Sequence, residues 1–508
     1  MKDADSFARF SQTDNIRANL KRKSIRGAVF MASGNGSEIL IRLLAIAILA
    51  RLLHPEDFGL IAMVTALTGV MDGFKDLGLS TATVQRPEIN HRQVSNLFWV
   101  NAAVGCVLAL ALCLATPLIA SFFHENRLVG ISVMLSLVFV WNGLTVQHEA
   151  LMTRQMRQGE LALIRLLASV LSVGIAIWMA LNGWGYWALV WREIARSAFI
   201  ASGVWIGCHW LPGLPSRSAG TRSLIRFGGE VSVTYLLANL IAHVDRLLIG
   251  RFFGASPVGM YRQAQQLVLA PVDQLNGPII GVAQPALSAL QHDPVRYRRF
   301  YEKIVFLVTL GTLPLGLFVA VYSEEITLLV LGPKWAEAAI FVRIFGVAAA
   351  VRPAIGTSAV VLLTCGHSTR FMVLAIIHSV LLTVFLFLGL NWGAPGVALA
   401  SLAATFAFLY PKLFYSFAST PATIGGFFSA VRTPAVAGLA MVASLVALRR
   451  AVPAEGVIEP LLLGAFLGAL TYLAAIGAQR KGRTELRTLL VDIRAALKKR
   501  HTAAADAS

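Results

Sequence analysis

Long apolar stretches, separated by short polar ones, run along most of the chain. A helix that crosses a bilayer needs about 20 mostly apolar residues, and about fourteen stretches approach that length. The second and eighth contain more polar groups than the others, and the thirteenth is short. The pattern predicts an all-α polytopic membrane protein. The predicted spans are residues 28–51, 58–79, 97–121, 128–147, 161–181, 186–207, 229–250, 264–283, 304–323, 338–364, 371–391, 394–415, 434–449 and 457–477.

The amino-acid composition agrees with a membrane location. Hydrophobic residues make up 56% of the chain and charged residues only 14%, whereas about a quarter of an ordinary globular protein is charged. So few charges could not cover the surface of a soluble protein of 508 residues. The composition therefore excludes a cytosolic enzyme, a secreted domain and a disordered scaffold.

The formal net charge of +18 fits either nucleic-acid binding or a fixed orientation in a membrane. Lysine and arginine concentrate in alternate loops and at both ends of the chain, as the positive-inside rule predicts for cytoplasmic segments. This placement favours orientation, with both termini cytoplasmic and no nucleic-acid partner. The polar, basic segment before the first apolar stretch lacks the features of a cleavable signal.

Two segments that lie two hundred residues apart resemble each other: Arg51 aligns with Arg251 and Gly59 with Gly259. Chance similarity of apolar segments is one explanation, and two parallel six-helix bundles, a transporter architecture, is the other. The predicted organisation is a cytoplasmic basic N-tail (1–27), an N-lobe (28–207), a cytoplasmic linker (208–228), a C-lobe (229–415), two extra helices (416–477) and a basic C-tail (478–508) that is either an interfacial helix or a solvated tail.

Ionisable side chains inside the predicted spans are the candidate functional residues. A charge at membrane depth is costly and usually faces a water-filled cavity or a partner. Cations suited to an acidic substrate are Arg42, Lys75, Arg192, Arg196, Arg246 and Arg352, and acids suited to ion coupling are Glu38, Asp72, Asp76 and Asp273.

Several of these groups could have a structural role instead. Glu38 and Arg42 lie one helical turn apart on one face and could form a salt bridge. Asp72, Lys75 and Asp76 share a face of the second predicted helix, where they form either an ion site or a lock between helices.

The remaining candidates differ in what surrounds them. Arg192 and Arg196 lie one turn apart as a like-charge pair, which favours an anionic ligand. Arg352 precedes Pro353, whose ring disturbs the backbone hydrogen bonds of the helix. We expect Arg352 to line a transport pathway. Asp273 serves either ion coupling or a structural hydrogen bond.

The sequence contains no cysteine or histidine cluster with metal-ligand spacing and no GxxxxGK[ST] motif. No metal, disulfide, cofactor or ATP site is therefore predicted.

Four segments resemble one known family. They are similar to the polysaccharide exporter branch of the MOP superfamily, the Wzx-type flippases, and the likeness covers most of the chain except the last two predicted helices. The segments are ARLLHPEDFGLIAMV (50–64), FKDLGLSTATVQRP (74–87), VDRLLIGRFFGASPVGMYRQAQQLVLAPVDQL (244–275) and PALSALQHDPVRYRRFY (285–301).

This resemblance implies a V-shaped fold of two lobes and a transport function. Such proteins move an undecaprenyl-pyrophosphate-linked oligosaccharide from the cytoplasmic to the periplasmic leaflet of the bacterial inner membrane, for exopolysaccharide or lipopolysaccharide biosynthesis. They work by alternating access without catalytic residues, and a polysaccharide polymerase or export complex is the expected protein partner. In the related lipid II flippase, cavity arginines contact the pyrophosphate and two extra helices form a groove for the lipid tail.

Two other functions fit a polytopic membrane protein. A drug exporter of the same superfamily needs an anionic, aromatic cavity, whereas the predicted spans contain more cations than acids. An integral glycosyltransferase or polymerase usually has a large outer loop, and the predicted outer loops are short. The sequence does not distinguish among glycans, coupling ions or oligomeric states.

Overall fold

The computed structural model describes most of the chain, and the regular elements in the described part are helices. The described residues are 38, 40–74, 78–86, 89–216, 243–451, 456–485 and 487–488.

The chain divides into two compact units, Met1–Gln263 (unit 1) and Ala264–Ser508 (unit 2), and the boundary falls inside one long helix, α9. The sequence-based division placed the seventh and eighth spans in the C-lobe, and that two-lobe layout stays a prediction. The helices up to this boundary are α1 (40–52), α2 (Pro55–Met71), α3 (Leu79–Gln85), α4 (His91–Phe123), α5 (Leu128–Arg154), α6 (Gln158–Leu181), α7 (Trp187–Cys208), α8 (Val244–Phe253) and α9 (Ala255–Ala289).

After α9, unit 2 contains a further series of helices. Short 3-10 turns over Pro333–Ala338 and Leu390–Trp392 precede two of these helices. The helices are α10 (Pro294–Val321), α11 (Ser323–Val330), α12 (Ala339–Thr364), α13 (Ser368–Gly389), α14 (Gly393–Ala407), α15 (Leu409–Phe417), α16 (Ile424–Ala451) and α17 (Ile458–Ala478).

Each predicted span overlaps one of these helices. Within the described residues, nine helices are long and apolar enough to cross a membrane. The chain is therefore a multi-pass membrane protein, while the count of about fourteen spans stays a prediction.

The second predicted span, 58–79, is wrong as one continuous helix. α2 begins earlier, at Pro55, and ends at Met71, and a 3-10 turn over Asp72–Phe74 follows it. α3 begins after Gly78, whose φ of 63° lies in the left-handed region that favours glycine. Asp72 therefore lies beyond the end of the regular α-helix on which it was expected.

The start of α2 combines helix-start chemistry with a charged contact to the segment between α4 and α5. The backbone N–H of His54 donates to Oδ2 of Asp57 (2.9 Å), and proline occupies the first helical position. Arg127, between α4 and α5, contacts Glu56 and donates to Glu125 (2.7 Å). The guanidinium holds the pKa of the Glu125 carboxyl below its usual range.

α2 and the start of α9 cross at the two glycines that the sequence repeat aligns. A Cβ atom on Gly59 would lie 1.7 Å from the carbonyl oxygen of Ala255, and one on Gly259 would lie 2.0 Å from that of Pro55. The contact is reciprocal, because each glycine meets the first residue of the other helix. Small residues permit such close backbone approach in membranes.

In unit 2 a second glycine pair joins α10 to α12. A Cβ on Gly316 would lie 2.5 Å from the carbonyl oxygen of Gly346, and one on Gly346 would lie 2.7 Å from the backbone nitrogen of Ala320. Neither helix could therefore carry a larger residue here without moving.

The last two helices, α16 and α17, are fastened to α10 and α11. Tyr472 on α17 donates to the carbonyl oxygen of Leu310 (3.2 Å). Arg449 on α16 pairs with Glu325 (2.6 Å) and donates to the carbonyl oxygen of Val321 (2.9 Å). These helices are thus an integral part of unit 2.

We expect Gly59→Ala to lower the temperature of thermal unfolding of the detergent-purified protein. The added methyl group would overlap the backbone of Ala255, and overpacking typically costs about 1–3 kcal/mol. Gly174→Ala on α6 is the matched control, because nothing lies within 4 Å of a methyl group there. Equal unfolding temperatures for the two variants would contradict the crossing.

Candidate functional site

Unit 1 contains a cavity of about 410 Å³, a volume typical of small-molecule sites. Five helices (α2, α5, α7, α8 and α9) form its walls, together with Asp72 just after α2 and His243 just before α8. The lining residues are Thr65, Thr68, Gly69, Asp72, Leu135, Val138, Phe139, Asn142, Glu193, Arg196, Ser197, Ile200, His243, Arg246 and Arg262.

Three arginines from three different helices converge on this cavity. Arg196 comes from α7, Arg246 from α8 and Arg262 from α9, whereas the acids in the lining are Asp72 and Glu193. The cations therefore outnumber the carboxylates. Guanidinium groups donate paired hydrogen bonds to phosphate or carboxylate, so the cavity suits an acidic ligand.

Arg196 is paired across helices with the acid at the start of the described chain. Its Nη2 lies 3.2 Å from Oε1 of Glu38, and its Nε lies 3.5 Å from the hydroxyl of Ser169. The ion pairs of the described residues do not include Glu38 with Arg42, the salt bridge considered from the sequence. Arg42 is exposed, and its charge acts on those of Arg192 and Arg196.

Arg192, one turn before Arg196 on α7, pairs with the neighbouring Glu193 at 2.6 Å. The charges of Arg196 and Arg262 also act on this carboxylate. The like-charge pair predicted from the sequence is therefore compensated by two acids, Glu38 and Glu193. Each of the two arginines thus has a carboxylate partner, and their role in binding an anion stays a prediction.

The start of α8 is tied to α9 through an acid next to Arg246. Asp245 accepts hydrogen bonds from the hydroxyl of Tyr261 (2.7 Å) and from the backbone N–H of Arg246 (2.7 Å). The guanidinium of Arg246 contacts the ring of His243, which fills the space beside Gly69 on α2. These contacts hold Arg246 at the cavity wall.

Arg262 is the cavity residue that sequence reasoning missed. The polar run between the predicted spans 229–250 and 264–283 is expected from the sequence to be a loop, but α9 begins at Ala255 and carries Arg262 into the wall. Its Nη1 donates to the hydroxyl of Thr65 on α2 (2.6 Å). The repeat could have revealed it, because Ala255 aligns with Pro55, where α2 begins.

Arg352 and Asp273 belong to unit 2. Arg352 lies at the middle of α12 and is exposed, as is Asp273 on α9, and their charges act on each other. Lys412 on α15, which the sequence did not single out, also interacts with the charge of Arg352. An exposed cation in the middle of a span requires contact with water or a polar partner.

Lys75 and Asp76 lie outside the described residues, and Asp72 lines the unit 1 cavity. The part of the chain that the structure describes contains no group of three or more histidine, cysteine or acidic residues that could hold a metal ion.

A family described as polysaccharide biosynthesis protein matches residues 48–340. Over 323 residues the chain is 27% identical to the lipopolysaccharide biosynthesis protein WzxC of Escherichia coli K12, covering 62% of this chain and 65% of that protein. It is 26% identical over 311 residues to the teichuronic acid biosynthesis protein TuaB of Bacillus subtilis, covering 58% and 61%. The succinoglycan biosynthesis transport protein ExoT of Rhizobium meliloti is 23% identical over 327 residues, covering 64% and 65%. The chain thus spans less than two thirds of the length of these relatives.

Solved structures show a likeness of fold. The lipid II flippase MurJ in an inward closed conformation superposes with a TM-score of 0.73 at 13% identity, covering 89% of this chain and 98% of that one. An inward-facing multidrug resistance transporter of the MATE family superposes with a TM-score of 0.55 at 15% identity, covering 75% and 94%. Both solved proteins are membrane transporters.

We expect Arg262→Gln to weaken the binding of inorganic pyrophosphate to the purified chain by at least about ten-fold, since hydrogen bonds to charged groups contribute about 1.5–3 kcal/mol. Isothermal titration calorimetry in lipid nanodiscs measures this. Arg165→Gln is the control, because Arg165 pairs with Glu149 (3.0 Å) and does not line the cavity. Equal losses in both variants would mean that general surface charge, and not the cavity, holds the anion.

Proposed function

The chain belongs to the family of polysaccharide biosynthesis proteins, in the polysaccharide exporter branch of the MOP superfamily, and from this premise we propose that it moves an undecaprenyl-pyrophosphate-linked oligosaccharide across the bacterial inner membrane. The lipid-linked sugar passes from the cytoplasmic to the periplasmic leaflet by alternating access. It then supplies exopolysaccharide or lipopolysaccharide biosynthesis. The family and the fold are those of a transport protein and not of an enzyme.

The observation that carries this proposal is the arginine-rich cavity of unit 1. A sugar-pyrophosphate head cannot cross hydrocarbon unaided, because its polar groups would lose their water without replacement. Arg196, Arg246 and Arg262 offer guanidinium groups in place of that water, with hydroxyls from Thr65 and Ser197 beside them. Arginine suits a phosphate because its planar group donates two parallel hydrogen bonds.

The names of the relatives support the same substrate class. One curated relative is named a succinoglycan biosynthesis transport protein, and another is named for lipopolysaccharide biosynthesis. The solved structure with a TM-score of 0.73 is a lipid II flippase. These names support only a class of cargo, a lipid-linked saccharide, and not a particular glycan.

We assign two roles to the candidate charged residues. One set contacts the acidic head group, and the other couples transport to a cation, either a proton or sodium. The substrate set is Arg42, Lys75, Arg192, Arg196, Arg246 and Arg352, together with Arg262; the coupling set is Glu38, Asp72, Asp76 and Asp273.

The direction of transport has a physical source in the membrane potential. The bacterial interior is negative, and each elementary charge gains about 2.3 kcal/mol per 100 mV on crossing. A head group with about two negative charges therefore gains roughly 4–5 kcal/mol per 100 mV on moving outward. Coupling to a cation gradient would add to this drive. In the proposed orientation both termini are cytoplasmic, and a polysaccharide polymerase or export complex receives the product.

Export of cationic drugs is the second candidate function, because the chain also shares its fold with a MATE multidrug transporter. A cationic substrate would be repelled by the three arginines of the cavity, which exceed its acids. Over-expression should therefore leave drug resistance unchanged, whereas increased resistance to cationic drugs would favour this candidate.

A deletion strain tests the main proposal. We expect it to accumulate a lipid-linked oligosaccharide, identified by mass spectrometry of extracted lipids. Wild-type protein and Arg165→Gln should clear the accumulation, while Arg196→Gln should clear it poorly because its cavity lacks one cation. A deletion strain without accumulated lipid-linked oligosaccharide would refute the proposed cargo.

A further inference from the structure

Glu193 is a fixed negative charge in the wall of a cavity that otherwise suits an anion. Its side chain lines the cavity together with Arg196 and Arg262 and is 30% exposed. Such a carboxylate repels an acidic ligand, and it offsets part of the positive charge of Arg196 and Arg262. Its presence therefore needs an explanation beyond anion binding.

Glu193 is held by an ion pair whose cation lies outside the cavity lining. Arg192 holds the carboxylate at 2.6 Å, and Arg192 is not among the lining residues. Glu38 differs in this respect, because it pairs with the cavity residue Arg196 itself and does not line the cavity. Of the two lining acids, Asp72 and Glu193, the latter thus has an ion-pair partner that lies outside the lining.

We propose that Glu193 is a built-in competitor of the anionic ligand, whose charge limits the affinity of the cavity so that the ligand can leave it. This inference rests on the proposed function, since a transporter must release the ligand that it binds. A pathway for ions shows the same balance, with binding favourable enough for entry and weak enough for exit. A cavity with its arginines unopposed would hold a diphosphate tightly and release it slowly.

Two other roles for Glu193 predict different changes in anion binding when the charge of its carboxylate is removed. If the carboxylate only keeps Arg192 in place, its loss should weaken anion binding or leave it unchanged. If it accepts hydrogen bonds from sugar hydroxyls, its loss should weaken the binding of a glycan-bearing ligand and leave inorganic pyrophosphate unaffected. Only the competitor role predicts tighter binding of pyrophosphate.

Glu193→Gln in the full chain tests the inference, with inorganic pyrophosphate as the probe and calorimetry in nanodiscs as the measurement. We expect binding roughly five-fold tighter or more, because one charge that repels the anion at short range is removed, and slower transport in proteoliposomes. Glu149→Gln is the matched control: Glu149 pairs with Arg165 (3.0 Å), is 28% exposed and does not line the cavity. Glu193→Asp, which keeps the charge, should bind as the wild type does.

The outcomes separate the inference from the proposed function. If the wild-type chain binds pyrophosphate and Arg262→Gln weakens it, but Glu193→Gln binds no tighter, the competitor role is overturned and the transport proposal stands. If the wild-type chain does not bind pyrophosphate, both fall together. Glu193→Ala serves as a second neutral variant if Glu193→Gln does not fold, and tighter binding together with unchanged transport would also overturn the link to release.

Discussion

The cost of placing a charge in a low-dielectric membrane is the constraint on which the rest of this structure depends. An arginine within a span must meet water, a carboxylate or another polar group. Each cavity arginine of unit 1 has such a partner: Glu38 for Arg196, Asp245 and His243 for Arg246, and the hydroxyl of Thr65 for Arg262. The cavity exists because charged groups on several helices cannot be packed away from one another or exposed to lipid.

These partners determine how available the cations are to a ligand. An arginine whose only contact is a hydroxyl can bind an anion without breaking an ion pair, whereas one bonded to a carboxylate must share or exchange its counterion. Within the described residues Arg262 donates to the hydroxyl of Thr65 and interacts with the charge of Glu193 without forming an ion pair, so it is closer to the first kind, whereas Arg196 is of the second. Affinity at this site is therefore a difference between attraction to arginines and repulsion by resident acids, and a transporter gains from keeping that difference small.

Hydropathy alone predicts where helices lie, because a stretch of about 20 apolar residues in a bilayer has few stable conformations other than a helix. It failed where the backbone departs from a regular helix: the turn over Asp72–Phe74 and Gly78 divide a stretch that looks continuous by composition. Composition also misplaced Arg262, because the polar start of α9 resembles a loop. The pairing of Glu38 with Arg196 could not be predicted either, since 158 residues separate them and only the packed helices bring them together.

The internal repeat connects the fold to the chemistry of the cavity. Because Gly59 and Gly259 lack side chains, α2 and α9 approach until their backbones touch at the first residue of each helix. Thr65 follows Gly59 on α2, and Arg262 follows Gly259 on α9. Nη1 of Arg262 lies 2.6 Å from the hydroxyl oxygen of Thr65. With larger residues at the crossing, the helices would lie farther apart, and this hydrogen bond would lengthen or break. The glycines therefore do more than permit packing: they set the distance at which one helix can present a cation to the cavity while the other supplies its neutral partner.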